Sequence, residues 1–128
     1  MPSRVLIVED ESIVALDLQR RLIRLGYDVP RVVASHDQAL RGVTELSPDI
    51  VLMDIHISGD IDGIDTAAKI HVPVIYLTAY SEEKTLERAK ATQPYGYLVK
   101  PFSERELHAT IQMALERHRV EARLRNSE

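Results

Sequence analysis

The chain contains no cysteine. Disulfides, thiol catalysis and cysteine-ligated zinc are thereby excluded, and the absence fits a reducing compartment. It also lacks an excess of positive charge: 16 Lys and Arg stand against 20 Asp and Glu, a formal net charge of -4. Non-specific affinity for nucleic acid or anionic membrane needs a basic surface, so direct contact with either is not expected. No apolar run approaches the roughly eighteen residues of a membrane span, and the stretch between Arg4 and Glu9 is too short for the core of a signal peptide. A soluble cytoplasmic domain is the expectation. At 128 residues, 45% hydrophobic and 28% charged, the chain is sized for one domain that buries roughly two-thirds of its unfolded surface.

What is present is a repeated arrangement. Four short apolar runs each end on a reactive polar residue: Val5 to Val8 before Glu9 and Asp10, Ile50 to Met53 before Asp54, Val74 to Leu77 before Thr78, and Tyr97 to Val99 before Lys100. Near-continuous runs of Val, Ile and Leu suit strands buried on both faces of a parallel sheet, and such sheets gather ligands outside the carboxyl ends of their strands.

Helical patterns fill the intervals. Val14, Leu18, Leu22 and Leu25 step along one helix face, with Gly26 as a stop. Val29 to Ala34 reads as a weaker strand carrying Pro30 and Arg31, and Ser35 with Gln38 signs the start of a second helix, ended by Pro48. A Gly- and Asp-bearing loop from Ile55 to Asp62 leads to a short helix ending near Ile70. Ser81 is placed to cap a fourth helix to about Ala91, and Ser103 with Glu106 caps the last. Five strands alternating with five helices imply right-handed crossovers and a three-layer α/β sandwich. The second strand carries Pro and Arg and the fifth is brief, so both suit edges, which predicts the flavodoxin-like order 2-1-3-4-5. The switch point then falls between strands one and three, beside Glu9, Asp10 and Asp54.

Three carboxylates at close quarters stay ionised only with cationic compensation, which a divalent metal together with Lys100 would supply. Oxygen-only donors favour magnesium, an ion suited to phosphoryl chemistry. An Asp can itself be the nucleophile, and Thr78 and Lys100 would then offer a hydroxyl and an ammonium to the transferred oxygens. Taken singly, each residue has a plainer role: Glu9, Asp10 or Glu11 as a helix cap, Asp54 as a loop acid, Thr78 as a strand-end hydroxyl, Lys100 as a solvated charge. Their joint placement at the ends of alternate βα units favours a shared site.

From Arg4 to about Arg117 the chain resembles the response-regulator receiver domain of two-component signalling, of the chemotaxis-regulator kind. The resemblance rests on VLIVEDE (Glu9, Asp10), IVLMDI (Asp54), VIYLTAY (Thr78) and YLVKPF (Lys100, Pro101). It implies that Asp54 accepts a phosphoryl group from a phosphohistidine of a sensor histidine kinase or histidine phosphotransfer protein. It further implies magnesium bound by Asp10, Asp54 and the backbone carbonyl of His56, with Glu9 acting through a metal-bound water. A cis peptide before Pro101, a switch formed by Thr78 and Tyr97, output through the α4-β5-α5 face, and hydrolysis tuned by His56 and Tyr80 follow by the same resemblance. Receiver residues are expected over 1–117. Residues 118–128 continue the last helix, where Met113, Val120 and Leu124 suggest a linker to an effector domain or a homodimer seam. Arginines there alternate with glutamates, as on a solvated face rather than a nucleic-acid patch.

The sequence departs from the family between Asp54 and Gly63, where IHISGDID is one residue longer than the common loop and lacks its proline near Ser58. Three rival readings compete. A calcium loop from Asp54 to Asp65 would need a preceding helix and a terminal glutamate, both missing. A magnesium-dependent aspartyl-phosphate phosphatase of the haloacid dehalogenase type would need a second acid where His56 stands. A receiver-like binding module without phosphorylation would not need the full residue set. The expectation is a switch that catalyses only its own phosphorylation and dephosphorylation, not an enzyme acting on other substrates.

Overall fold

The computed structural model describes residues 2–79 and 83–126. Five parallel strands alternate with five helices: β1 (Val5–Val8), α1 (Ser12–Arg24), β2 (Val32–Val33), α2 (His36–Leu46), β3 (Ile50–Asp54), α3 (Gly63–Ala67), β4 (Val74–Ala79), α4 (Glu83–Ala91), β5 (Gly96–Lys100) and α5 (Glu104–Asn126). The sheet order is β2-β1-β3-β4-β5, as expected from the two weak edge runs.

The apolar runs are continuous because both sheet faces are covered. Val5, Ile7, Leu52, Ile75 and Leu77 pack under Leu18 and Leu22 of α1 and Leu107 and Ile111 of α5. Leu6, Val8, Val51, Met53 and Tyr76 point the other way, onto Ala39 of α2, Ile64 of α3 and Ala89 of α4. Each fully buried aliphatic side chain of this kind contributes about 1.5–3 kcal/mol.

Local signals set the helix ends. Gly26 at φ 98 lets the Tyr27 and Gly26 N–H groups donate back to the Leu22 and Ile23 carbonyls, closing α1 with a left-handed turn. Ser103 and Glu106 exchange backbone and side-chain hydrogen bonds at the start of α5. At α2 the Ser35 hydroxyl accepts from the Gln38 N–H, while the Gln38 side chain accepts from Ala34 rather than from Ser35.

Four expectations are corrected. The core face of α1 is Ala15, Leu18 and Leu22, with Val14 and Leu25 at its margin, since the way α1 lies on the sheet turns the i, i+3, i+7 stripe from Ala15 toward it. β2 is only two residues long, because Pro30 and Arg31 interrupt pairing before Val32. α3 ends at Ala67, ahead of Ile70. β5 reaches from Gly96 to Lys100, longer than its apolar triplet. The Ser81 cap lies outside the described residues.

Candidate functional site

Because β1, β3, β4 and β5 are parallel neighbours, their carboxyl ends share one sheet edge, and Glu9, Asp54, Thr78 and Lys100 meet there. Asp54, the last residue of β3, is buried; its Oδ2 accepts a hydrogen bond from Lys100 Nζ at 2.6 Å, and its Oδ1 accepts from the His56 N–H at 2.9 Å. Glu9, 3% exposed, takes a second contact from Lys100 Nζ at 3.3 Å and one from the Glu11 N–H at 3.4 Å. The ammonium therefore bridges two buried carboxylates.

The electrostatics follow from that crowding. Burial, then a hydrogen bond and charge repulsion from Asp54, push the Glu9 carboxyl from 4.5 up to about 7, with Lys100 pulling the other way. For Lys100, burial disfavours the charge, but the hydrogen bond and attraction to Asp54 and then Glu9 outweigh it and raise its pKa. The pocket carries more negative charge than one ammonium offsets.

Asp10 sits exposed in the turn after β1. Thr78 is buried, its hydroxyl donating to the Ala79 carbonyl at a long 3.3 Å. The His56 side chain faces outward, while its backbone lines the site. Tyr97 is half-buried on β5, stacked 6.2 Å from the Tyr76 ring. The peptide between Lys100 and Pro101 is cis. Tyr80 lies outside the described residues.

Among the described residues no three His, Asp or Glu side chains form a ready-made metal cluster. The donor set still fits magnesium. Its donors are all oxygens, and two carboxylates, Glu9 and Asp54, converge on the single Lys100 ammonium, which leaves negative charge that a divalent cation would offset. A calcium loop does not fit, because a strand, not a helix, leads into Asp54 and the twelfth position holds Asp65 rather than a glutamate.

A family profile described as the response regulator receiver domain matches residues 5–112. The chain belongs to that family. Receiver domains are the phosphorylation switches of two-component response regulators; histidine kinases phosphorylate them, they generally bind Mg2+ at the phosphorylation site, and some are joined to effector domains. This receiver domain is similar to the transcriptional regulatory protein PdtaR of Mycobacterium tuberculosis, 37% identical over 93% of the chain and 60% of PdtaR. It is 38% identical to the uncharacterized transcriptional regulatory protein YrkP of Bacillus subtilis, over 94% of the chain and 52% of YrkP. It thus spans little more than half of these curated relatives. Among solved structures, the signal receiver domain of a modulated diguanylate cyclase from Desulfovibrio desulfuricans G20 superposes with a TM-score of 0.88 at 39% identity, covering 94% of this chain and 99% of that one.

Two participants escaped the sequence reading. Gly63 donates its N–H to the Ile55 carbonyl at 2.7 Å, and a Cβ built on it would lie 2.1 Å from the Asp54 carbonyl oxygen, so only glycine fits beneath the acid. Arg88 on α4 pairs with Asp62 at the end of the lengthened loop, 3.0 Å away. A lone glycine nine residues after Asp54 was the one available signal for the first; a distant surface ion pair leaves none.

Proposed function

We propose that this receiver domain accepts a phosphoryl group from a phosphohistidine onto Asp54 and signals through the α4-β5-α5 face. The carrying observation is the buried Asp54 carboxylate at the end of a central strand with Lys100 Nζ 2.6 Å from it. In the transfer, an Asp54 oxygen forms a bond to phosphorus as the phosphorus–nitrogen bond breaks and the imidazole leaves with the electron pair. Lys100, already in place, neutralises charge on the transferred oxygens, and the loosely held Thr78 hydroxyl is free to turn toward them. Asp10, Asp54 and the His56 backbone carbonyl would hold magnesium, with Glu9 behind them, and the ion would offset negative charge on the phosphoryl group. Tyr97 beside Tyr76 is the proposed partner of Thr78 in the switch.

We take 1–117 as the receiver unit and 118–128 as its C-terminal extension, of which the described part, to Asn126, continues α5. Leu107, Ile111 and Ala114 are the buried α5 residues, whereas Met113, Val120 and Leu124 are exposed, which supports a linker or a seam to a second copy. No described helix is long and apolar enough to cross a membrane, which accords with a cytoplasmic phosphohistidine donor. Output reaches other molecules through protein contacts rather than direct nucleic-acid binding.

The test is incubation of the protein and an Asp54→Asn variant with magnesium and acetyl phosphate, followed by intact mass and oligomeric state. The parent is expected to gain about one phosphoryl group per chain and the variant none. Turnover of many equivalents of a phosphoester would favour the phosphatase reading, and an unmodified parent would remove the proposal.

A further inference from the structure

α4 is thinly anchored compared with α1 and α5. Of its residues 85–91, only Ala89 is buried. α1 and α5 each bury two large aliphatic side chains as well as an alanine. An alanine brings little apolar area and Leu86 is only half-buried, so polar ties contribute a large share of what positions α4. Beyond its last turn, the Thr92 hydroxyl meets the Tyr76 hydroxyl at 2.8 Å. Within it, the Arg88 guanidinium reaches Asp62 Oδ2 at 3.0 Å and Asp65 Oδ1 at 3.5 Å.

The carboxylate end of that pair is unusually fixed. Asp62 caps α3, its Oδ1 accepting from the Asp65 N–H at 2.9 Å. Its carbonyl accepts the Thr66 hydroxyl at 2.7 Å, and Thr66 in turn meets Nδ1 of buried His36 at 3.0 Å. Since the Thr66 proton is committed to Asp62, His36 Nδ1 is the donor. The same loop is pinned to the β2 edge by the Ser58 N–H on the Ala34 carbonyl, and next to Asp62 the Gly63 backbone lies against the Asp54 carbonyl. Only the arginine pays side-chain entropy when the pair forms.

We infer that Arg88 is a latch: it pins α4 to the braced end of the lengthened loop and opposes the α4 movement that phosphorylation of Asp54 drives. The inference rests on the receiver reading. Thr78, whose hydroxyl now serves the Ala79 carbonyl, lies five residues before α4 begins. Drawing that hydroxyl toward a phosphoryl group tugs on α4 from its leading end, while Arg88 holds it to the loop behind Asp54. A switch in which one contact favours the unmodified conformation gains sensitivity when that contact is removed.

The experiment compares parent, Arg88→Ala and Arg88→Lys by hydrogen exchange without ligand and by titration with beryllium fluoride in magnesium. For Arg88→Ala, faster exchange confined to α4 and about two- to fivefold tighter beryllium fluoride binding are expected, the range set by an exposed ion pair. Arg88→Lys should lie between, and about 0.5 M salt should narrow the gap between parent and Ala variant. Unchanged α4 exchange, or equal or weaker binding by Arg88→Ala, overturns the latch. A parent that binds no beryllium fluoride overturns the receiver reading and the coupling with it; the exchange comparison still decides whether Arg88 restrains α4.

Discussion

Replacing Glu9 by glutamine is expected to stabilise the metal-free protein at pH 8 and to leave it nearly unchanged at pH 4. In the fold the Glu9 carboxyl is raised from 4.5 to about 7, chiefly by burial and then by Asp54. Below 4.5 both folded and unfolded chains hold the proton and the group contributes nothing to pH dependence. Between 4.5 and about 7 the unfolded chain ionises while the folded one does not, so stability falls as pH rises, by about 1.4 kcal/mol for each pH unit. Above 7 the folded carboxyl ionises too and the loss levels off, near 3 kcal/mol in order of magnitude. Glutamine keeps the size and the oxygen that Lys100 contacts but cannot ionise. Urea unfolding in EDTA, followed by far-ultraviolet circular dichroism because the chain has no tryptophan, should show the variant's midpoint exceeding the parent's by about 1–2 M at pH 8 for a slope of about 1.5–3 kcal/mol/M. A difference between parent and variant that stays flat from pH 5 to 8 would refute the reasoning, because it would mean Glu9 titrates like a surface acid.

Gly63→Ala should destabilise by about 3 kcal/mol or more, since the added Cβ meets backbone oxygen at 2.1 Å; a midpoint within about 0.3 M of the parent in urea would contradict the packing. Ser47 closes α2 at φ 46, so Ser47→Gly is expected to raise stability by about 0.5–1 kcal/mol in the same assay, and a loss would show that the serine side chain makes its own contribution. His56→Ala and Tyr80→Ala, two residues beyond Asp54 and Thr78, should each speed decay of the acyl phosphate; lifetimes equal to the parent's would dismiss side-chain bulk as the shield.

Strand order was legible because it rests on coarse quantities. A run such as VLIV has no polar alternation, so it demands cover on both faces, whereas the Pro30–Arg31 pair and the brief fifth run tolerate only edges. Once order is known, the meeting of Glu9, Asp54, Thr78 and Lys100 follows from parallel connectivity without knowledge of any side-chain rotamer. The rest depended on finer balances. Val14 matches the helical period as well as Ala15 does, and only the tilt of α1 on the sheet decides which is covered. The length of the loop after Asp54 was visible, but its use was not: pinning by Ala34 and pairing with Arg88 join residues 23 to 26 positions apart by contacts that have no periodic signature.

The proposed acceptor and its ammonium stand 46 residues apart, and Glu9 and Lys100 are separated by 91. A ribosome adding ~5–20 residues per second takes roughly 5–20 s to cover the longer interval. During that time the nascent chain carries the acids without the cation that bridges them. Chemical competence therefore arrives in one step, when β5 docks on β4, and a stalled or truncated chain ending before that strand would be silent rather than wrongly active.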